Sequence, residues 1–238
     1  MAQKHILSSV DEVSTFSAKF VVDTAVEAIN ERGIFTLGVS GGSIINILAS
    51  NLAENPNVNW SKWKVFFCDE RLSSFSSEDS TYGQFKSKLI DKVGCHDSWV
   101  AINPELPVVE CAKDYEEKLK KTFTGSWPEF DLLLLGMGPD GHTCSLFPGH
   151  QLLQEKEKWI APISDSPKPP PCRVTMTYPV INNARKVAFI SAGSGKADTI
   201  KAIFTPVDDE SKLLPAARVK PTSGSLHWIM DTGAASKL

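Results

Sequence analysis

Gly138-Pro139-Asp140-Gly141-His142-Thr143 sets a carboxylate two residues before an imidazole, in a turn that two glycines and a proline force out of regular structure. Histidine titrates near neutral pH and can take a proton from water. A nearby carboxylate can hold the ring's tautomer and stabilise the imidazolium. The i, i+2 spacing does not decide whether Asp140 reaches His142, and a histidine that only caps a turn is the plainer reading. Ser40-Gly41-Gly42-Ser43 suits a different task. Its glycines let backbone N–H groups approach an anion, ahead of a helical pattern whose N-terminus favours negative charge, although the same residues also make an ordinary tight turn. Gly193-Ser194-Gly195-Lys196 places a lysine at a helix start, either as a point charge for phosphate or as a solvated surface residue. Arg173 follows three prolines and offers a planar fork for phosphate or an ordinary surface charge. Asp69-Glu70-Arg71 completes the set.

The elements that must position these residues alternate along the chain. A helical spacing of apolar residues over Ser14 to Arg32 ends at Gly33, where a left-handed C-cap residue belongs. Phe35 to Val39 reads as a strand that runs into Ser40 to Ser43, with a helix from Ile44 to about Leu52. Trp63 to Cys68 reads as a second buried strand that ends at Asp69. Thr81 to Val93 and Cys111 to Phe123 read as helices, the latter with a charged outer face over Asp114 to Lys121. Phe130 to Leu135 is a continuous apolar run, as expected of a strand covered on both faces, and it feeds the turn of His142. Lys186 to Ala192 and Ser225 to Asp231 are further strands, with a helix over Ala197 to Phe204 between them. Ser164 to Pro171 is proline-rich but stands between the strand-like Trp159 to Ile163 and Arg173 to Tyr178, which makes it an ordered loop rather than a linker. The order predicts one α/β domain over residues 1–238, Rossmann-like and doubly wound around a mostly parallel sheet. All four polar clusters then sit beyond the carboxyl ends of strands, where such sheets bind ligands.

Composition excludes several classes. With 238 residues and a net charge of −3, nothing points to a nucleic-acid or membrane partner through bulk electrostatics. The start, Met1 to Val10, has no basic region followed by an apolar one, and no apolar run is long enough to span a bilayer. The cytoplasm is the expected compartment. Five dispersed cysteines without a CxxC pair give neither a zinc ribbon nor a disulfide framework. His5 falls in a start read as disordered, His96 and His150 in loops and His227 in a strand. No two histidines have ligand spacing, so no metal is expected. Ser40 to Ser43 is neither a Walker A loop nor a GxGxxG turn, and no cofactor is expected. Cys144 and Ser145 lie outside any nucleophile elbow and read as packing or helix-start residues.

Val39 to Ser43, Phe67 to Arg71, Ser80 to Gly83, Ile102 to Glu105, Leu135 to Gly149, Ile163 to Pro171 with Arg173 to Thr175, and Gly193 to Ala197 together resemble the glucosamine-6-phosphate isomerase/6-phosphogluconolactonase family, with the animal lactonases most similar. The resemblance implies a fold shared with glucosamine-6-phosphate deaminase and the hydrolysis of 6-phospho-D-glucono-1,5-lactone, the second step of the oxidative pentose phosphate pathway. Within it, His142 matches the general base. Arg173 and Lys196 match phosphate-binding positions of the related deaminases, Ser40 to Ser43 match the backbone cradle, and Asp69, Glu70 and Arg71 line the pocket. Cys144 stands where many members carry a smaller residue. The expected partner is a phosphorylated sugar lactone, bound by a monomer or weak homodimer. Two alternatives stay open: a glucosamine-6-phosphate deaminase, and a sugar-phosphate sensor without activity. The deaminase turn continues toward Asn-Glu-Pro, whereas His142 is followed by Thr-Cys-Ser-Leu-Phe-Pro.

Overall fold

The structure is a computed structural model that describes residues 2–209 and 212–238. Its elements run β1 (Gln3–Leu7), α1 (Val10–Arg32), β2 (Phe35–Val39), α2 (Ser43–Ala53), β3 (Trp63–Phe67), β4 (Asp69–Arg71) and α3 (Thr81–Phe85). A π-helical turn (Lys86–Ile90) leads into α4 (Asp91–Val93), then β5 (Trp99–Val100), α5 (Val108–Lys120), β6 (Leu132–Leu135), β7 (Ile160–Ile163) and β8 (Arg173–Met176). The chain closes with α6 (Tyr178–Asn182), β9 (Lys186–Ser191), α7 (Ala197–Phe204) and β10 (Ser225–Asp231), short 3-10 turns aside.

Seven strands form one parallel sheet in the order β1-β10-β9-β6-β2-β3-β5. Its central strand shows why the run of four leucines was needed. Side chains alternate across a strand, and here Leu132 and Leu134 join one apolar layer with α1 and α2, while Leu133 and Leu135 join the other with α5, α6 and α7. Both faces are covered, so a polar residue on either side would be buried without a partner. Asp131, just before the strand, shows what that requires: its carboxylate accepts from Thr36 N and Oγ1, both at 2.8 Å, and from the guanidinium of Arg32. That network pins the start of β6 to β2 and to the end of α1.

Helix α1 starts four residues earlier than its apolar spacing indicates. Ser9 caps it by accepting from Glu12 N at 3.2 Å, and Asp11 and Glu12 complement the dipole of the first turn. It ends at Gly33, whose φ of 77° and N–H bond to Ile29 O form the expected left-handed cap. Two features depart from expectation. The start of the chain is ordered: β1 pairs in parallel with β10, and His5 bonds to His227 across 3.2 Å. In addition, β4, β8 and β7 build a small antiparallel sheet beside the carboxyl edge of the main one, joined to it through Cys68, whose carbonyl accepts from Met176 N. Among the described residues no helix is long and apolar enough to cross a membrane.

The close approach of β2 to β6 depends on Gly38. A Cβ there would lie 2.4 Å from Leu133 Cδ2 and 3.1 Å from Cys68 Sγ. Gly38→Ala is expected to cost about 1–3 kcal/mol as an overpacking substitution, read as a lower urea midpoint at unchanged slope. A variant as stable as the parent would mean that the leucine layer can give way.

Candidate active site

In a doubly wound sheet the ligand crevice opens where the strand order reverses. Here the chain moves outward from β2 to β3 and β5, then returns to place β6 on the other side of β2. The crevice therefore lies between the loops that leave β2 and β6. A cavity of about 180 Å³ opens there, lined by Ser40 to Ser43, Asp69, Arg71, His142, Arg173 and Lys196, with Ser191 and Cys144 in its walls. The four polar clusters, far apart in sequence, share one cleft.

The β2 loop is shaped for an anion. Ser40 N donates to Leu134 O, which ties the loop to β6. Gly42 takes φ 74°, a region closed to most side chains, and a Cβ on Gly41 would meet Thr81 Oγ1 at 2.8 Å. No side chain caps α2, so the N–H groups of its first turn stay available at the positive end of the helix dipole.

Across the crevice, the β6 loop closes on itself through Gly138 N to His142 O at 2.9 Å and Gly141 N to Gly138 O at 3.0 Å, with Gly141 at φ 78°. The closure brings Asp140 back onto His142: Oδ1 stands 2.5 Å from Nδ1. The ring leans against Phe147 at 4.8 Å. With Nδ1 engaged, Nε2 is the nitrogen left for chemistry on the cleft side. Burial lowers the imidazole from its ordinary 6.5, against the pull of Asp140. Burial would raise the Asp140 carboxyl, yet the hydrogen bonds from His142 and from Lys168, which stands 3.1 Å away, bring it down to about 2. At neutral pH the pair is a carboxylate beside a neutral ring, the state a general base requires.

Three cations surround the other end. Lys196 Nζ donates to Met137 O at 2.7 Å, and burial lowers its ammonium, with Lys168 adding to the effect. Arg71 donates to Asp79 O. Arg173 is 3% exposed and held on three sides: Nε donates to Pro170 O, and Nη2 to Lys168 O and Pro169 O. Only Nη1, with a long 3.5 Å contact to Ser145 Oγ, is left to turn to a ligand. Arg173 thus anchors the proline-rich loop as much as it lines the cleft. Asp69 is 7% exposed and accepts from Ser145 Oγ at 2.7 Å. Ser145, read from the sequence as a packing residue, serves to orient this carboxylate.

Glu70 is the candidate the structure sets apart. It is fully buried and does not line the cleft; its two oxygens accept from Arg71 N, Thr81 N, Tyr82 N and Ser80 Oγ. Desolvation pushes the carboxyl up to about 6 against those N–H donors. It joins β4 to the start of α3, because alternation along β4 turns Glu70 to the face opposite Asp69 and Arg71. The residue that sequence reasoning passed over is Lys168. Nothing in its proline-rich surroundings signals that its ammonium ends beside His142.

The model of the family described as glucosamine-6-phosphate isomerases/6-phosphogluconolactonase matches residues 8–228. The chain is 50% identical to the 6-phosphogluconolactonase of Bos taurus over 98% of its own length and 92% of that protein's. Among solved structures, the 6-phosphogluconolactonase from Trypanosoma cruzi superposes with a TM-score of 0.87 at 25% identity, covering 100% of this chain and 97% of that one. A monomeric glucosamine-6-phosphate deaminase shares the fold at a TM-score of 0.80 and 17% identity, over 99% of this chain and 100% of its own. On this match of fold and sequence, the chain belongs to the glucosamine-6-phosphate isomerase/6-phosphogluconolactonase family.

Proposed function

We propose that the chain hydrolyses 6-phospho-D-glucono-1,5-lactone to 6-phospho-D-gluconate, the second step of the oxidative pentose phosphate pathway, with His142 as the base that activates water. The observation that carries the residue assignment is the single cleft in which a neutral imidazole, backed by Asp140 at 2.5 Å, lies with an uncapped helix N-terminus, the buried Arg173 and the half-buried Arg71 and Lys196. The distal phosphate docks on the N–H groups of Ser40 to Ser43 and on Lys196, Arg71 and Arg173. This anchoring sets the lactone carbonyl near His142 and makes the attack effectively intramolecular. Nε2 takes a proton as the water oxygen bonds to C1, and Asp140 stabilises the imidazolium. When the bond from C1 to the ring oxygen breaks, the imidazolium returns its proton to that oxygen. A lactone is an activated ester, so one base and correct placement suffice, and the reaction calls for no cofactor. The chain is read as one catalytic domain, a monomer or weak homodimer in the cytoplasm, without nucleic-acid or membrane partners; its modest net charge of −3 supports the last point.

His142→Ala is expected to lower kcat by about 10²–10⁴-fold while KM moves little, measured on freshly generated lactone with spontaneous hydrolysis subtracted. Near-normal turnover would remove His142 from the role of base. Glucosamine 6-phosphate should release no ammonia above background.

The pH dependence follows from the sign of the His142 shift. The base works unprotonated, and burial lowers its pKa, so kcat/KM should fall only as pH drops below the ordinary imidazole value of 6.5. An acidic limb centred above that value would contradict the buried-ring geometry.

Gly138 supplies a subtler test. A Cβ there would sit 2.1 Å from both Cε1 and Nδ1 of His142 and 2.7 Å from Asp140 Oδ1. Gly138→Ala should therefore displace the ring and cost about 10²-fold in kcat, with 6-phosphogluconate binding retained in titration calorimetry. Wild-type kcat would show that ring placement is not limiting.

A further inference from the structure

Behind the His142 ring, on the Nδ1 side, stands a cation that does not line the cleft. Lys168 sits on the loop between β7 and β8, with Nζ 3.1 Å from Asp140 Oδ1 and 3.2 Å from His142 Nδ1. The backbone beneath it is pinned: its carbonyl accepts from Arg173 Nη2 and from Ser166 Oγ, both at 2.8 Å, and its N–H donates to Ser166 Oγ. The ammonium is thus delivered to the Asp–His pair by the same loop that Arg173 anchors.

The charges around the ring explain what such a cation does. A carboxylate 2.5 Å from an imidazole favours the imidazolium, and alone it would hold the ring protonated near neutral pH. Asp69 on β4 pulls the same way, while burial, the largest influence, and Lys168 oppose both. Lys196, after β9, shares this field, for its ammonium is disfavoured by Lys168 and favoured by Asp140. With the ring neutral, Asp140 and Lys168 cancel. Once the ring takes a proton the trio carries a net positive charge, and the proton is more readily passed on.

We propose that Lys168 is a positioning residue for the hydrolysis: its ammonium shares Oδ1 of Asp140 with the imidazole and, together with burial, opposes protonation of the ring, so that Nε2 stays a free base at neutral pH. The inference rests on His142 being the base. Asp140 keeps its place without Lys168, because the ring and backbone nitrogens of His142 both contact Oδ1. Removing the cation therefore shifts the charge balance rather than dismantling the pair.

The test compares the wild type with Lys168→Met, which keeps the apolar stem, and Lys168→Arg, which restores the charge. Rates on fresh lactone are taken from about pH 5 to about pH 8.5, across the imidazole range, and the ring nitrogens of His142 are titrated by NMR in the same three proteins. For Lys168→Met the acidic limb of kcat/KM and the NMR titration should both move up by about one unit. The rate loss should deepen toward acid, a few-fold near pH 6 and approaching roughly tenfold at the acid end of the range, with KM little changed. Lys168→Arg should move both back toward the wild type. A limb and a titration that stay in place in Lys168→Met would overturn the proposal, as would an arginine variant no better than the methionine one. The NMR titration decides the matter even if the methionine variant turns over too slowly to assay. His142→Ala separates the two levels. If it retains turnover, the base assignment fails whatever Lys168 does; if it is inactive while Lys168→Met leaves the titration unmoved, only the role of Lys168 falls.

Discussion

The contact between Asp140 and His142 is the interaction on which the site depends. At 2.5 Å it engages Nδ1, leaves Nε2 as the other ring nitrogen, and ties the acid–base behaviour of the ring to the backbone of one loop. Few backbones permit it. Gly141 must take a positive φ, and Gly138 must be bare of a side chain, for the turn to fold the carboxylate onto the imidazole. The loop is in turn held by a strand buried on both faces, which cannot slide without moving two apolar layers. Precision at the ring thus originates in the packing of four leucines.

The remaining walls reach the ring through non-local links. Cys68 joins the small antiparallel sheet to the large one, and that sheet carries Asp69, Arg71 and Arg173 to the crevice. Ser145 steadies Asp69, Arg173 steadies the loop of Lys168, and Lys168 reaches the Asp–His pair. A change at any of these residues travels through its neighbours to His142, so the effects of paired substitutions here will not add.

Much of this was legible in the residues themselves. Alternation of apolar runs with helical patterns announced the doubly wound sheet, and Phe130 to Leu135 marked its centre. The four clusters beyond strand ends located the crevice, since chain order alone places them at one edge. What could not be read was set by contacts between distant segments. The pairing of β1 with β10 spans the length of the chain, so His5 looked like part of a loose start. An i, i+2 spacing left the reach of Asp140 open until the dihedral angles of the glycine turn were known. Glu70 looked like a pocket residue beside Asp69 and Arg71, because only the short strand β4 shows that it faces away. Lys168 gave no sign, since its placement follows from Arg173 gathering the carbonyls of a proline loop.

One consequence of the small sheet concerns its two arginines. Arg71 and Arg173 are register partners on adjacent antiparallel strands, so their side chains leave from the same face. Like charges set opposite each other across a sheet repel, and burial first, then Arg71, disfavours the charged state of Arg173. Asp69 and Asp79 offset that repulsion, and under the proposed phosphate docking a dianion between the two guanidiniums would offset it further. An anion held there would meet a pair of charges that the strand register, rather than either side chain alone, sets on one face.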